Sequence, residues 1–307
     1  MRNNFAEELH ALALEDSRVI LLSGDIGNRL FDRTKDAAAD RVINCGVAEQ
    51  NMMGVASGLA QSGFRPVVYT ITPFTTYRCF EQIRVDVCYH EAPVTIVGTG
   101  AGLSYASLGP THHSMEDVAI MRTLPGMTVF CPSDPGEVRS GLRAALQQEG
   151  PVYIRLGKKG EPNLHVEPSE VRLGRAETMR EGTDICLIAS GPVLGLALSA
   201  ADELSSHGIS ARVENFHTIK PLDTERLKEI EERFRVALTI EEHGRIGGLF
   251  GAVAEWLASR PDSPLSLRSV GSNDEFLHNI GSQTFARNAY DISTDVIVSL
   301  SRRAIDQ

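Results

Sequence analysis

The sequence predicts an α/β protein: a parallel sheet covered by helices on both faces, followed by a second, smaller α/β unit. Short apolar runs alternate with helical patterns along the chain, and most runs are hydrophobic throughout instead of alternating with polar residues. Strands of this kind are buried on both faces, as in a parallel sheet between two helical layers. At 307 residues, the chain is long enough for two separate cores.

The first unit is predicted over residues 1–160. Its expected strands are 18–22, 41–47, 66–71, 93–97, 127–130 and 152–156, and its expected helices are 5–14, 51–61, 74–89 and 135–147. Residues 161–180 are polar and predicted to form a linker. The second unit, 181–307, is predicted to alternate strands with helices and to close on an amphipathic helix at 293–304.

Composition limits the functional class. The formal net charge of -10 argues against a nucleic-acid-binding surface, which needs an excess of lysine and arginine. No run of about 18 apolar residues exists, and no apolar signal-peptide core follows Met1, so we expect neither a membrane span nor a leader. The five cysteines form no closely spaced metal-type pairs, which favours a reducing, cytoplasmic location.

Glu49 is the most informative residue. It lies between an apolar run at 42–47, predicted to be a buried strand, and a helix with Gly54 and Gly58 on one face. Glycine inside a helix costs about 1 kcal/mol relative to alanine, so this pair predicts the close approach of another backbone or a ligand. Glu49 either complements the positive end of the helix dipole or contacts a bound molecule.

Several motifs resemble one family in the same order along the chain. Residues 46–53 resemble the segment of transketolase-like enzymes that carries the glutamate partner of thiamine diphosphate. The runs 109–116 (GPTHHSME), 131–134 (CPSD) and 218–223 (TIKPLD), followed by 241–243 (EEH) and a Gly-Gly pair, continue the resemblance over nearly the whole chain. The sequence is similar to the C-terminal half of transketolase and to the matching half of deoxyxylulose-phosphate synthase. This implies a pyrimidine-binding domain followed by a transketolase C-terminal domain.

The resemblance implies roles around the cofactor. Glu49 would hydrogen-bond the aminopyrimidine ring nitrogen, because a carboxyl in an apolar junction can share a proton near neutral pH. Phe74 and Tyr77 would stack on that ring, although core packing of an aromatic stripe is the ordinary alternative. Asp25 would approach the thiazolium side of the cofactor, unless it only forms the turn after its strand.

Other residues are implied in substrate binding. His112 would contact the sugar oxygens, with His113 in support. Arg2, Arg29 and Lys158 are the candidates for holding a phosphate, although each also fits an ordinary solvated cation. No metal site is expected around His112, since the histidine spacing of a zinc site is absent.

The glycine run at 98–102 resembles a dinucleotide fingerprint, but Leu103 stands at the place of its third glycine. We expect these glycines to admit the cofactor or the substrate instead. Gly100 and Leu108 stand where transketolases carry a histidine and an aspartate that read donor hydroxyls, which predicts an unusual donor. The polar residues of 241–243 are expected to be structural.

The chain has no Gly-Asp-Gly motif with a downstream asparagine, the pair that holds Mg²⁺ (or Ca²⁺) and the diphosphate in such enzymes. A separate N-terminal subunit is therefore implied, in an α2β2 assembly. The resulting hypothesis is the C-terminal subunit of a split transketolase that transfers a two-carbon ketol unit between sugar or sugar-phosphate substrates. The alternatives are the β subunit of a 2-oxo-acid dehydrogenase and a non-catalytic scaffold that kept the fold. The sequence does not name the donor, the acceptor or the pathway.

Overall fold

The computed structural model describes residues 1–27, 29–165 and 170–306 and contains two sheets within them. The strands are β1 Val19–Ser23, β2 Val42–Asn44, β3 Arg65–Ile71, β4 Thr95–Thr99, β5 Thr128–Phe130, β6 Val152–Leu156, β7 Glu177–Arg180, β8 Ile185–Ser190, β9 Ala211–Asn215, β10 Thr218–Lys220, β11 Val236–Gly244 and β12 Ser266–Ser272. The first sheet has the order β10-β5-β6-β4-β3-β1-β2, and the second β12-β11-β8-β9-β7.

Helices flank both sheets. They are α1 Arg2–Glu15, α2 Asp32–Ala37, α3 Glu49–Gln61, α4 Thr72–Thr75, α5 Phe80–Gln82, α6 Asp117–Thr123, α7 Pro135–Leu146, α8 Leu194–Ser206, α9 Thr224–Arg233, α10 Leu249–Ala258, α11 Gln283–Ala289 and α12 Thr294–Ile305. The predicted helix at 74–89 is instead broken into short pieces that end in a π-helix at Ile83–Tyr89. None of the helices described is long and apolar enough to cross a membrane.

The six strands β1 to β6 of the first sheet all run parallel to their neighbours among these six, as their hydrophobic sequences predict. Its seventh strand, β10, comes from beyond residue 180 and pairs antiparallel with β5. The second unit therefore contributes a strand to the first sheet. The division of the chain at 160 and 181 stays a prediction, and the expected linker contains the strand β7.

The prediction of a buried strand before Glu49 is wrong. Only Val42–Asn44 is extended, at the edge of the sheet, and Val47 is 74% exposed. The close approach expected at Gly54 and Gly58 is not made within the described chain: a side chain at Gly58 would meet nothing within 4 Å, and one at Gly54 only the carboxylate of Asp86, at 4.0 Å. This face of α3 is open.

The connection between the two units is fixed by His165. Its Nδ1 lies 2.8 Å from Asp134 Oδ2, and its Nε2 lies 3.1 Å from Glu177 Oε2. The hydrogen bonds with Asp134 and Glu177 raise the pKa of His165 to about 10, so the imidazole is protonated at neutral pH. A charged contact thus joins α7 of the first unit to β7 of the second.

Candidate active site

The candidate site lies where four neighbouring parallel strands end. β1, β3, β4 and β6 are adjacent, and their carboxyl ends meet at one edge of the first sheet. In open α/β sheets, ligands bind outside this edge. The residues predicted for the site follow these strands in the chain: Asp25 and Arg29 after β1, Phe74 after β3, His112 after β4 and Lys158 after β6.

A cavity of about 610 Å³ opens at this edge. Arg2, Asp25, Arg29, Tyr69 and Tyr105 are among the residues that line it. The structure therefore brings together three residues that the sequence had placed in the site, although they are distant along the chain. Asp25 accepts a hydrogen bond from Asn44 Nδ2 at 2.9 Å, a contact expected for an anchored loop.

Arg2 has no hydrogen-bond or ion-pair partner within the described parts of the chain, and its Nε is buried. A buried donor without an acceptor costs roughly 1–3 kcal/mol, so the position favours an incoming anion. Arg2 is also the first residue of α1, and no acidic residue occupies the first turn of that helix. The positive end of the helix dipole therefore adds to the charge of Arg2.

Arg29 and Lys158 also lack a carboxylate partner among the residues described. Arg29 lines the cavity and has a φ of 65°, a left-handed conformation that costs an L-residue about 1–2 kcal/mol. Such strain concentrates at functional sites. Lys158 Nζ lies over the Tyr105 ring, 4.5 Å from its centroid. Arg2, Arg29 and Lys158 are referred to below as the cation set.

Glu49 is buried at the first residue of α3, with 2% of its surface exposed. Its Oε2 accepts a hydrogen bond from Arg78 Nη1 at 2.8 Å, and none of the described residues donates to Oε1. The Arg78 guanidinium in turn lies over the Phe74 ring, 4.1 Å from its centroid. Glu49 and Phe74, both predicted to contact the cofactor, are thus joined through a residue that the sequence reading missed.

Gly24 lies close to Glu49 and directly precedes Asp25, which lines the cavity. A Cβ there would be 3.2 Å from Thr70 and 3.6 Å from Glu49 Cγ. Thr70 Oγ1 is itself buried, and nothing in the described part of the chain forms a hydrogen bond with it. The polar groups around Gly24 are therefore only partly satisfied by the chain itself.

His112 lies between Phe74 and Tyr105. Its ring contacts Phe74 at 5.4 Å and Tyr105 at 6.1 Å between centroids, both edge to face. Burial lowers the pKa of His112, so the imidazole is neutral at neutral pH and can donate and accept hydrogen bonds. His113 is more buried, its Nε2 has no hydrogen-bond partner among the residues described, and burial lowers its pKa as well. This buried environment is consistent with the supporting role predicted for His113.

Tyr77 makes a polar contact: its hydroxyl donates to Glu116 Oε2 at 2.7 Å. Its place beside the cofactor stays a prediction. On the neighbouring helical turn, Arg84 Nε lies 3.0 Å from the exposed Glu81 carboxylate.

The glycine run at 98–102 packs against side chains of the protein itself. Added Cβ atoms would lie 2.8 Å from Thr72 at Gly98, 1.8 Å from Tyr105 at Gly100, and 2.4 Å from Glu242 at Gly102. The prediction that these glycines admit cofactor or substrate is therefore wrong.

Glu242 ties the loop that bears His112 to the second unit. Its Oε1 accepts a hydrogen bond from the Leu103 amide at 2.7 Å, and the carboxylate also accepts from Gln283 and pairs with Arg287. The loop is closed on itself by a bond from Gly102 N to Ser114 Oγ at 2.7 Å. The sequence predicted a structural role for Glu242, and the structure identifies the part it holds.

Comparisons with known proteins agree with this architecture. Residues 1–162 match the pyrimidine-binding domain of transketolase, and residues 174–280 match the transketolase C-terminal domain. The 6-deoxy-6-sulfo-D-fructose transketolase subunit of Clostridium sp. strain MSTE9 is 35% identical, over 100% of this chain and 95% of that protein. An apulose-4-phosphate transketolase subunit of Phocaeicola vulgatus is 35% identical, over 94% of this chain and 93% of that protein.

A solved structure described as a split-gene transketolase, an inactive β4 tetramer, superposes with a TM-score of 0.90 at 34% identity, covering 99% of this chain and 97% of that one. The fold and site thus define an enzyme subunit of the thiamine diphosphate class. The chain belongs to the transketolase family. Over nearly its whole length it is similar to transketolase subunits and to a split-gene transketolase chain.

The tie between Glu242 and the site loop can be tested on the purified chain. Glu242→Ala removes the acceptor of the Leu103 amide, so we expect unfolding to become easier by about 1.5–3 kcal/mol, the range for hydrogen bonds to charged groups. Deuterium exchange in peptides covering 102–114 should accelerate. Glu255→Ala is the matched control, because it removes an ion pair between the second unit and Arg122 of the first without touching the loop. Equal exchange in the two variants would contradict the tie.

Proposed function

We propose that this chain is the C-terminal subunit of a two-component, thiamine diphosphate-dependent transketolase whose sugar substrates carry a terminal anion. The observation that carries the proposal is the cation set, which lacks carboxylate partners among the described residues. Arg2 and Arg29 line the cavity, and Lys158 lies over the ring of Tyr105, which also lines the cavity and contacts His112. Cations without partners at the edge of a binding cavity favour a phosphate or sulfonate. The names of the relatives agree, because one refers to a sulfo-sugar and the other to a sugar phosphate.

Glu49 fits the aminopyrimidine of the cofactor. It is buried, and its Oε1 has no donor among the described residues, so a ring nitrogen can share a proton there. Phe74 offers an aromatic face supported by Arg78. When bound, the cofactor supplies a carbon nucleophile at its thiazolium C2. We assign Asp25 to the thiazolium side of this site and Tyr77 to its aromatic wall.

We propose that His112 binds the hydroxyls next to the carbonyl that reacts, with His113 supporting the loop. A neutral imidazole can accept a proton from a hydroxyl as a C–C bond breaks and return it as the new bond forms. His112 is half-buried and faces Phe74 on one side and Tyr105 on the other. These two contacts support a position for His112 between the proposed cofactor side and the proposed anion side of the site.

A partner subunit would hold Mg²⁺ or Ca²⁺ and the diphosphate, since the sequence lacks the Gly-Asp-Gly motif. The exposed surface next to Glu49 supports docking of that partner. Val47 and Val55 are exposed apolar residues there, and the Gly58 face is open. We propose an α2β2 assembly in the cytoplasm, a location consistent with the five free cysteines.

Glu49→Gln should nearly abolish exchange of the cofactor's C2 proton in the reconstituted complex. The amide keeps the shape and can still accept the bond from Arg78, but it cannot supply a proton to the ring nitrogen. Quenched NMR of deuterium incorporation at C2 measures the rate. Glu81→Gln is the control, because it breaks the exposed pair with Arg84 and should exchange like the wild type. Wild-type exchange in Glu49→Gln would remove this residue from cofactor activation.

Arg2→Ala and Lys158→Ala should each raise KM for phosphorylated sugars about ten- to a hundredfold, with kcat less affected, because a remote charge-assisted hydrogen bond contributes roughly 1.5–3 kcal/mol of uniform binding. KM for the unphosphorylated counterparts should change little. Lys159→Ala, at the exposed neighbouring position, should match the wild type. Steady-state kinetics on matched sugar and sugar-phosphate pairs decides the matter, and equal KM ratios in mutant and wild type would retire both residues as anion ligands.

A further inference from the structure

Tyr105 occupies a position that depends on Gly100. Gly100 has a φ of 74°, and a Cβ built on it would lie 1.8 Å from Tyr105 Cε2 and 2.1 Å from Cδ2. The aromatic ring therefore lies directly against the glycine backbone. Any other residue at position 100 would move the ring, and the left-handed φ independently favours glycine there.

The ring separates the two halves of the proposed substrate site. On one side it contacts the His112 ring, at 6.1 Å between centroids and an interplanar angle of 67°. On the other side it lies under Lys158 Nζ, and it lines the cavity with Arg2 and Arg29. A substrate that reaches from His112 to the cation set must pass this ring.

The hydroxyl of Tyr105 has no hydrogen-bond partner among the residues described. No hydrogen bond of the hydroxyl within that part of the chain therefore fixes the ring in this position. The ring holds Lys158 by a cation–π contact, an arrangement that leaves the ammonium free of any carboxylate. Tyr105 therefore both fills volume and positions a charge next to the cavity.

Building on the proposed function, we propose that Tyr105, packed on Gly100, is a specificity-determining residue. Its ring limits the length of substrate that fits between His112 and the cation set. The ligand class is a short polyhydroxy aldehyde or ketone with a terminal tetrahedral oxyanion. A ring that bounds the site in this way discriminates between substrates by chain length. A difference of one methylene group in a pocket changes the preference between two substrates about ten- to two-hundredfold.

The test measures binding, so it does not depend on turnover. Calorimetry on the complex of this chain with its partner subunit would compare D-glyceraldehyde 3-phosphate, D-erythrose 4-phosphate and D-ribose 5-phosphate. Tyr105→Ala should shift the ratio of dissociation constants in favour of the five-carbon ligand by about tenfold or more. Loss of the contact between Tyr105 and Lys158 should weaken the binding of all three ligands alike. It should therefore leave the ratio of their dissociation constants unchanged.

Two variants make the test specific. Tyr105→Phe keeps the ring and should stay within about twofold of the wild-type ratio. Gly100→Ala should displace the ring and reproduce the shift of Tyr105→Ala, and the double variant should add little, since both changes act on one contact. Thermal melting verifies that each variant is folded.

The outcomes separate this proposal from the one on which it rests. A ratio that is unchanged in Tyr105→Ala and Gly100→Ala, or a complex that binds none of the three ligands, overturns the role of Tyr105. A complex that binds them with the expected shift but transfers no two-carbon unit supports that role and contradicts the proposed function. Repeating the series with sugar sulfonates in place of phosphates identifies the anion, and the same length dependence is expected.

Discussion

A buried ion pair between Arg155 and Asp117 is the constraint on which the site depends. Arg155 Nε lies 2.8 Å from Asp117 Oδ2, and both side chains are buried. The same guanidinium donates to the carbonyl of Ser114 at 2.9 Å and to that of Glu242 at 3.0 Å. One arginine thus joins the end of β6, the loop that bears His112 and a strand of the second unit. Breaking a buried pair of this kind typically costs about 3–5 kcal/mol, because the remaining charge is left without compensation.

This arrangement gives the second unit a function in catalysis without a catalytic residue. Glu242 fixes the Leu103 amide, and Gly244 N donates to Met115 O at 2.7 Å, so both ends of the loop are held by β11. A loop held at both ends keeps its side chains in place at little entropic cost when a ligand binds. The contacts between β11 and the loop therefore preorganise His112 and Tyr105.

Much of the fold followed from hydrophobic pattern, and several site residues followed from position. Strands such as β3 and β6 were predicted to within one residue at each end. Glu49 could be nominated because it stands in a motif, and Arg2 and Lys158 because they fall near the positions that hold the sugar phosphate in the family. The edge strand β2 was misread as buried, because an apolar run gives the same signal whether its cover comes from the chain itself or from another molecule.

Other features could not be read from the sequence. Arg78 contacts Glu49 and Tyr105 contacts Lys158, partners that are distant along the chain, and no local spacing marks either residue. The glycines at 98–102 predicted a close approach correctly, but the identity of the approaching groups depends on tertiary packing. The strand β10 is three residues long and joins a sheet formed by an earlier part of the chain, which no local pattern indicates.

The most direct test of the account concerns the division of the site between two chains. Calorimetry would titrate thiamine diphosphate with Mg²⁺ into this chain alone, and then into the chain reconstituted with its partner subunit. Because we propose that this chain supplies the aminopyrimidine side and its partner the diphosphate side, we expect tight, Mg²⁺-dependent binding only in the complex. Micromolar, Mg²⁺-dependent binding to the isolated chain would contradict the account.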